Sequence, residues 1–249
     1  MRLTDKVAIV TGGASGFGAE IARLFASEGA MVAVADLNRT RTHAVAAQIG
    51  SAALAFECDA TRRADVDALV AACLREFGVP DIVVNCAVPA HRGQPLLAVD
   101  EAHFDALFEV NVKSLFHLVH AVVPLMRVRR SGVILNIGST SGRRPRPGLT
   151  WYSASQAAAS LLARSLAVEL GGDGIRVNVI SPVMGETGLR GDFMGLADTP
   201  EDRARLVATI PLGRLPRPHD VAAAALWLAS DEAGFITGVE LPVDGGRSV

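Results

Sequence analysis

Cysteine is scarce in this chain: Cys58, Cys73 and Cys86 are the only three among 249 residues. They form no CxxC pair and no zinc-ligand spacing, which argues against a disulfide framework or a structural zinc site. Reduced thiols in a cytoplasmic setting are the expectation, and no His/Cys/Asp cluster has the spacing of metal ligands. An excess of charge is also missing. The formal net charge is −2 and the sequence pI about 6.3, so a general affinity for nucleic acid or an anionic membrane has no support. Long apolar runs are absent too. The run after Met1–Lys6 spans only Val7 to Val10, too short for a signal segment, and Val221–Ala229 falls well short of the roughly 20 residues that cross a bilayer. Neither a repeat, a low-complexity tract nor a linker divides the chain, so residues 1–249 read as one domain.

What is present is a regular alternation. Half of the residues are hydrophobic and a fifth charged, ordinary values for a chain with a sizeable core. Short, continuously apolar runs at 7–11, 31–36, 52–56, 81–85, 132–138, 175–181 and 239–243 read as strands buried on both faces. Helical periodicity fills 16–28, 39–49, 62–77, 101–126, 151–170 and 218–230. Strand and helix in strict alternation predict an α/β doubly wound parallel sheet with right-handed crossovers. The least regular stretch, 182–216, is rich in Gly and Pro with a helical patch at 201–209. At 183–216 it stands where a substrate lid would sit, above the carboxyl ends of late strands.

The first strand runs into Thr11-Gly12-Gly13-Ala14-Ser15-Gly16-Phe17-Gly18 and then into a helix. Gly12, Gly16 and Gly18, with Ser15 and Phe17 between them, have the spacing of a phosphate-binding turn. Backbone N–H groups there face the anion, and the helix dipole favours negative charge. Strand before and helix after are the context such a turn requires, so the pattern predicts a dinucleotide. Asp36 closes the second strand. A carboxylate there can accept from both adenosine ribose hydroxyls and repels a 2′-phosphate, which favours NAD over NADP, although Arg39 nearby could neutralise a phosphate. Asp59, after the third strand, could accept from the adenine amino group.

Together with these, Asn85 with Ala87, Asn111, Ser139, Tyr152, Pro182 with Thr187, and Asp244-Gly245-Gly246 fall in one order along the chain. In that order and spacing the sequence resembles the short-chain dehydrogenase/reductase family, in its single-domain form, over its whole length. The resemblance implies a Rossmann-like sheet of about seven strands in the order 3-2-1-4-5-6-7. It implies an NAD(H)-dependent oxidoreductase interconverting a secondary alcohol and a ketone, with Tyr152 moving the proton and Ser139 holding the substrate oxygen. Asn111 would support a proton relay. Asn85, Ala87 and Pro182 would join the cofactor site, and Thr187 would bind the nicotinamide carboxamide or a phosphate. It implies a homotetramer as well.

One position departs. The family segment YxxxK reads Tyr152-Ser153-Ala154-Ser155-Gln156 here. The family lysine lowers the tyrosine pKa and holds the nicotinamide ribose. Glutamine keeps the hydrogen-bonding capacity but not the charge. Two outcomes stay open: an oxidoreductase with impaired or altered proton transfer, or a silenced dinucleotide-binding protein with a sensing or partner-subunit role. Arg143, Arg144 and Arg146 could supply a replacement cation, though a solvated basic loop is the simpler reading. Val88 and Val183 stand where the family often has glycine. The substrate rim draws on 88–95, 140–149 and 184–196, with His91, Arg92, Trp151, Phe193 and Met194. His91 and Arg92 read first as exposed loop side chains.

Overall fold

The computed structural model describes residues 1–249 except 88, 90, 92 and 186–198. Its strands are β1 Val7–Thr11, β2 Met31–Asp36, β3 Ala53–Glu57, β4 Ile82–Asn85, β5 Gly132–Ile137, β6 Ile175–Pro182 and β7 Glu240–Val243. Its α-helices are α1 Gly16–Ser27, α2 Arg39–Ile49, α3 Arg63–Glu76, α4 Glu101–Phe108, α5 Ser114–Arg129, α6 Thr150–Leu170, α7 Pro200–Val207 and α8 Pro218–Ala229. The strands form one sheet in the order β3-β2-β1-β4-β5-β6-β7, every neighbouring pair parallel. This is the Rossmann-like sheet that the sequence implies.

Alternation along each strand decides which layer a residue joins. Ala8, Val10, Val32 and Val34 pack with Ile21, Ala22 and Phe25 of α1 and Val221, Ala222 and Ala225 of α8. Val7, Ile9, Ala33 and Ala35 face the other way, onto Val66 and Leu69 of α3, Leu115 and Leu118 of α5 and Ala163 of α6. Both faces are covered, which is why the strands carry continuous apolar runs rather than alternating ones.

The long helical pattern at 101–126 is not one α-helix. Between α4 and α5 the backbone makes a π turn, Glu109–Lys113. Its additional residue turns the Asn111 side chain inward, to 4% exposure, at a point where a 3.6-residue period alone would not place it. The combined run Glu101–Arg129 is also long and apolar enough, by length and composition, to cross a bilayer, with 44% of its most apolar window buried. The longest unbroken apolar run therefore understates it. Its buried residues, among them Leu107, Leu118, Val122 and Met126, pack inside the protein, and that packing accounts for the composition.

Strand order reverses between β1 and β4: the chain leaves β1 towards β2 and β3, then crosses back to build β4 to β7 on the other side. A crevice opens at the carboxyl ends of the strands there, where doubly wound sheets take their ligands. Above the far side of it, Val183, Leu206, Ile210 and Leu215 form a small apolar cluster with Met184 and Val207. This belongs to the segment expected as a lid, whose residues 186–198, including Thr187, Phe193 and Met194, lie outside the described ones.

Candidate active site

A cavity of about 440 Å³ fills the crevice. Its near end is the glycine turn. Gly12 has φ +65°, and a Cβ there would stand 2.5 Å from the Cys86 carbonyl oxygen; a Cβ on Gly18 would strike the Gly12 carbonyl. The turn can close only with glycine at both places. Ser15, Gly16 and Phe17 line the same wall at the start of α1, whose first turn holds no acidic residue. The residues thus fit a bound pyrophosphate: a bare backbone cradle at a positive helix end.

Asp36 and Asp59 line the cavity beside this turn. The Asp36 carboxylate accepts from Ala14 N at 3.2 Å and Asn38 N at 2.9 Å, so it braces the glycine turn and the start of α2 together. Asp59 accepts from the N–H and hydroxyl of Thr61 at 2.9 and 2.7 Å. The arginine on the wall here is Arg41; Arg39 is not among the lining residues. Ala87 and Pro182 also line the cavity. Cys58 and Cys86 do too, but burial pushes both thiols up to about 12, so neither is a thiolate at neutral pH.

Ser139 and Tyr152 meet at the other end. Ser139 follows β5 in extended backbone, and its Oγ accepts from Ser141 N at 3.1 Å. Tyr152 lies in the first turn of α6 and is 5% exposed. Burial raises its phenol above the ordinary tyrosine value. Hydrogen bonds from Ser139 and Gln156, and the positive charge of Arg146, offset part of that rise. Gln156, one helical turn on, is 2% exposed.

Three expected residues stand behind the cavity wall rather than on it. Gln156 reaches the Tyr152 phenol from the body of α6. Asn85 donates to Asn136 Oδ1 at 2.9 Å and accepts from Thr11 Oγ1 at 3.2 Å, in a buried polar network that ties β1, β4 and β5 together and reaches Ser114. Asn111 donates to Ser155 Oγ at 2.8 Å, and that hydroxyl donates to the Tyr152 carbonyl at 2.9 Å. Asn111 therefore holds the turn of α6 that carries Tyr152.

Two loop readings are corrected. His91 is 1% exposed, and its ring stacks on Tyr152 with centroids 5.6 Å apart and planes 7° off parallel. Its Nδ1 lies 2.9 Å from His103 Nε2. Burial, then His103, pulls the His91 imidazole below its usual value, which favours the neutral form. Arg146, expected in a solvated loop with Arg143 and Arg144, instead lines the cavity and is half-buried. Trp151, expected on the substrate rim, is not among the lining residues; its indole donates to the Leu96 carbonyl at 3.1 Å. Sequence reasoning missed the partners Ser155, His103 and Arg41, for which spacing along the chain gives no signal.

Known proteins bear on this arrangement directly. A family model described as enoyl-(acyl-carrier-protein) reductase matches residues 12–248. The chain is 48% identical over 252 residues to 4-formylbenzenesulfonate dehydrogenase of Comamonas testosteroni, covering 100% of both. The chain belongs to the short-chain dehydrogenase/reductase family. Another member of that family, 7alpha-hydroxysteroid dehydrogenase of Escherichia coli (strain K12), is 38% identical over 99% of this chain and 95% of its own. A crystal structure of 3-ketoacyl-(acyl-carrier-protein) reductase from Brucella melitensis, complexed with NADH, superposes with a TM-score of 0.93. Identity there is 40%, over 99% of this chain and 100% of that one. These short-chain dehydrogenase/reductases are named as oxidoreductases, and the NADH complex supports a nicotinamide dinucleotide as the cofactor of the shared fold.

Proposed function

We propose that this protein is an NAD(H)-dependent oxidoreductase that interconverts an alcohol and a carbonyl compound, and that Gln156 sets its balance of directions. The observation that carries this reading is the meeting of Ser139 and Tyr152 at one end of a cavity whose other end is a bare glycine turn. A relative is named as the dehydrogenase of a formyl compound, so aldehydes join ketones among the carbonyl compounds to be tried.

In this reading Gly12 and the stretch Ser15 to Gly18 would hold the pyrophosphate, Asp36 the adenosine ribose hydroxyls and Asp59 the adenine, with Ala87 and Pro182 on the cavity wall and Asn85 bracing it from behind. Thr187, outside the described residues, would bind the nicotinamide carboxamide or a phosphate. The bound dinucleotide supplies or accepts the hydride. Ser139 donates a hydrogen bond to the substrate oxygen, and Tyr152 gives that oxygen a proton in reduction or takes one in oxidation. Asn111 positions Tyr152 through Ser155. Gln156 hydrogen-bonds without bringing a charge, so the buried phenol keeps its proton at neutral pH. A protonated tyrosine suits carbonyl reduction; oxidation needs the phenolate and is the impaired direction.

Residues 1–249 act as one domain, with 183–216 as its lid, and the assembly is a homotetramer in a reducing cytoplasmic setting. Buried free thiols fit that setting. The preference for NAD is supported by Asp36 on the cavity wall; calorimetric titration should show NAD binding more tightly than NADP, and the reverse order would overturn the assignment. The deciding experiment compares turnover of the unmodified chain with that of Gln156→Lys on carbonyl compounds with NADH and alcohols with NAD. We expect measurable reduction by the unmodified chain and a gain in oxidation on the order of 100-fold in the variant. Turnover by the variant alone would make the dinucleotide a ligand of a silenced protein.

A further inference from the structure

Three arginines crowd the loop between β5 and α6. Arg143 and Arg144 are exposed, and Arg144 donates to the Arg247 carbonyl oxygen. Arg146 is placed differently. It lines the cavity beside Ser139, Leu149 and Tyr152, and its Nε is buried with no hydrogen-bond partner. No carboxylate among the described residues forms an ion pair with it. Its charged neighbour is another cation, Arg247, which is 8% exposed and donates from Nε to Thr209 Oγ1 at 2.8 Å. The acid beside Arg247 is Asp244, whose oxygens already accept from Gly246 N and from the N–H and hydroxyl of Ser248. The other charged side chains on the cavity wall, Asp36, Arg41 and Asp59, follow β2 and β3 at the opposite end of the sheet's switch point.

A guanidinium does not shed its charge, and a half-buried one without an acid is costly to keep. None of the described residues supplies its counter-charge. The pyrophosphate cradle is at the far end of the cavity, and the Tyr152 phenol is neutral while it holds its proton. An anionic group on the substrate, which enters the same cavity, would supply it. We infer that Arg146 is the recognition residue for an oxyanion, a carboxylate or sulfonate, carried by the substrate away from its reacting carbonyl. The inference rests on the carbonyl–alcohol reading above. The adjoining wall includes Pro89, Leu149, Val183 and Met184, an apolar surface suited to a flat spacer such as an aryl ring, and a guanidinium fork matches either oxyanion in two hydrogen bonds.

The test compares benzaldehyde, 4-carboxybenzaldehyde and 4-formylbenzenesulfonate as substrates with saturating NADH. The unmodified protein should favour both anionic aldehydes over benzaldehyde on the order of 10- to 100-fold in kcat/KM, mainly through KM. Arg146→Ala should bring that ratio close to one and Arg146→Lys should keep part of it, while Arg143→Ala keeps all of it. Equal kcat/KM for neutral and anionic aldehydes in the unmodified protein would overturn the inference. So would an Arg146→Ala variant that loses activity on all three alike with the ratio intact. If no aldehyde turns over, the oxidoreductase reading fails, and calorimetry decides the anion site separately. Benzoate and benzenesulfonate should bind the NAD-loaded protein and lose that binding in Arg146→Ala; no binding to the unmodified protein would sink it.

Discussion

Because the chain has a single tyrosine, the phenolate difference spectrum reports Tyr152 and nothing else. Burial raises that phenol against the combined pull of Ser139, Gln156 and Arg146, so its midpoint in the unmodified protein should lie above the usual value of about 10. Placing an ammonium at the next turn, in Gln156→Lys, should lower it by at least about one unit. The sign carries into catalysis. Reduction draws on the protonated phenol and stays level through neutral pH, then falls as the phenol ionises; oxidation climbs through the same midpoint. An unmodified midpoint near 8 would mean that the charge missing at Gln156 has been fully replaced. At this scale the sequence discloses Ser139, Tyr152 and the absent lysine, because each sits at a fixed spacing. It does not disclose His91. That ring is buried only because its loop is pinned to the far side of α6's approach, Gln94 N donating to the Gly148 carbonyl at 3.0 Å, a bond between residues 54 positions apart.

Among the elements, α6 and the π turn form one working unit. The Ser155 hydroxyl receives Asn111 and is itself fully buried. Ser155→Ala would leave a buried amide N–H of Asn111 unpaired, at about 1–3 kcal/mol. We expect a lower unfolding midpoint and a fall in kcat, with dinucleotide affinity little changed because the glycine turn and Asp36 belong to other elements. A variant that loses NAD and keeps kcat at saturation would contradict the positioning role of Asn111. The seven strands and the helices around them were legible because each strand is a short apolar run closed by its own turn residues; the strand boundaries agree to within one residue, while the helical pattern expected to end at 126 runs on to Arg129. The π turn was not, since one additional residue inside a long apolar helix leaves the surrounding periodicity almost unchanged.

For the molecule as a whole, the outer faces of α5 and α6 are more apolar than a free surface needs to be. Phe116, Leu161 and Val168 are exposed there, and Phe235 protrudes just before β7. Such residues, repeated on every copy, suit symmetric faces that close on themselves. Sedimentation should give a mass near four times 26.0 kDa, and charge substitutions at Leu161 and Val168 should release smaller species; a stable monomer at micromolar concentration would refute the assembly. Composition alone counts the apolar residues on these helices. It could not say which of them the sheet covers, because that depends on the rotation of each helix about its axis.

The π turn also governs which changes of length this chain can accept. Deleting any one position from Glu109–Lys113 would let the backbone settle into an unbroken α-helix, locally the more regular structure. It would also swing α4 by about 100° relative to α5. His103 would leave His91, and Phe104 would leave its edge-on contact with Trp151. Substitutions along this stretch can be absorbed one at a time, whereas a single-residue gap cannot. Among relatives, an unbroken alignment through 109–113 is therefore a sharper mark of a shared site than the identity of any side chain within it.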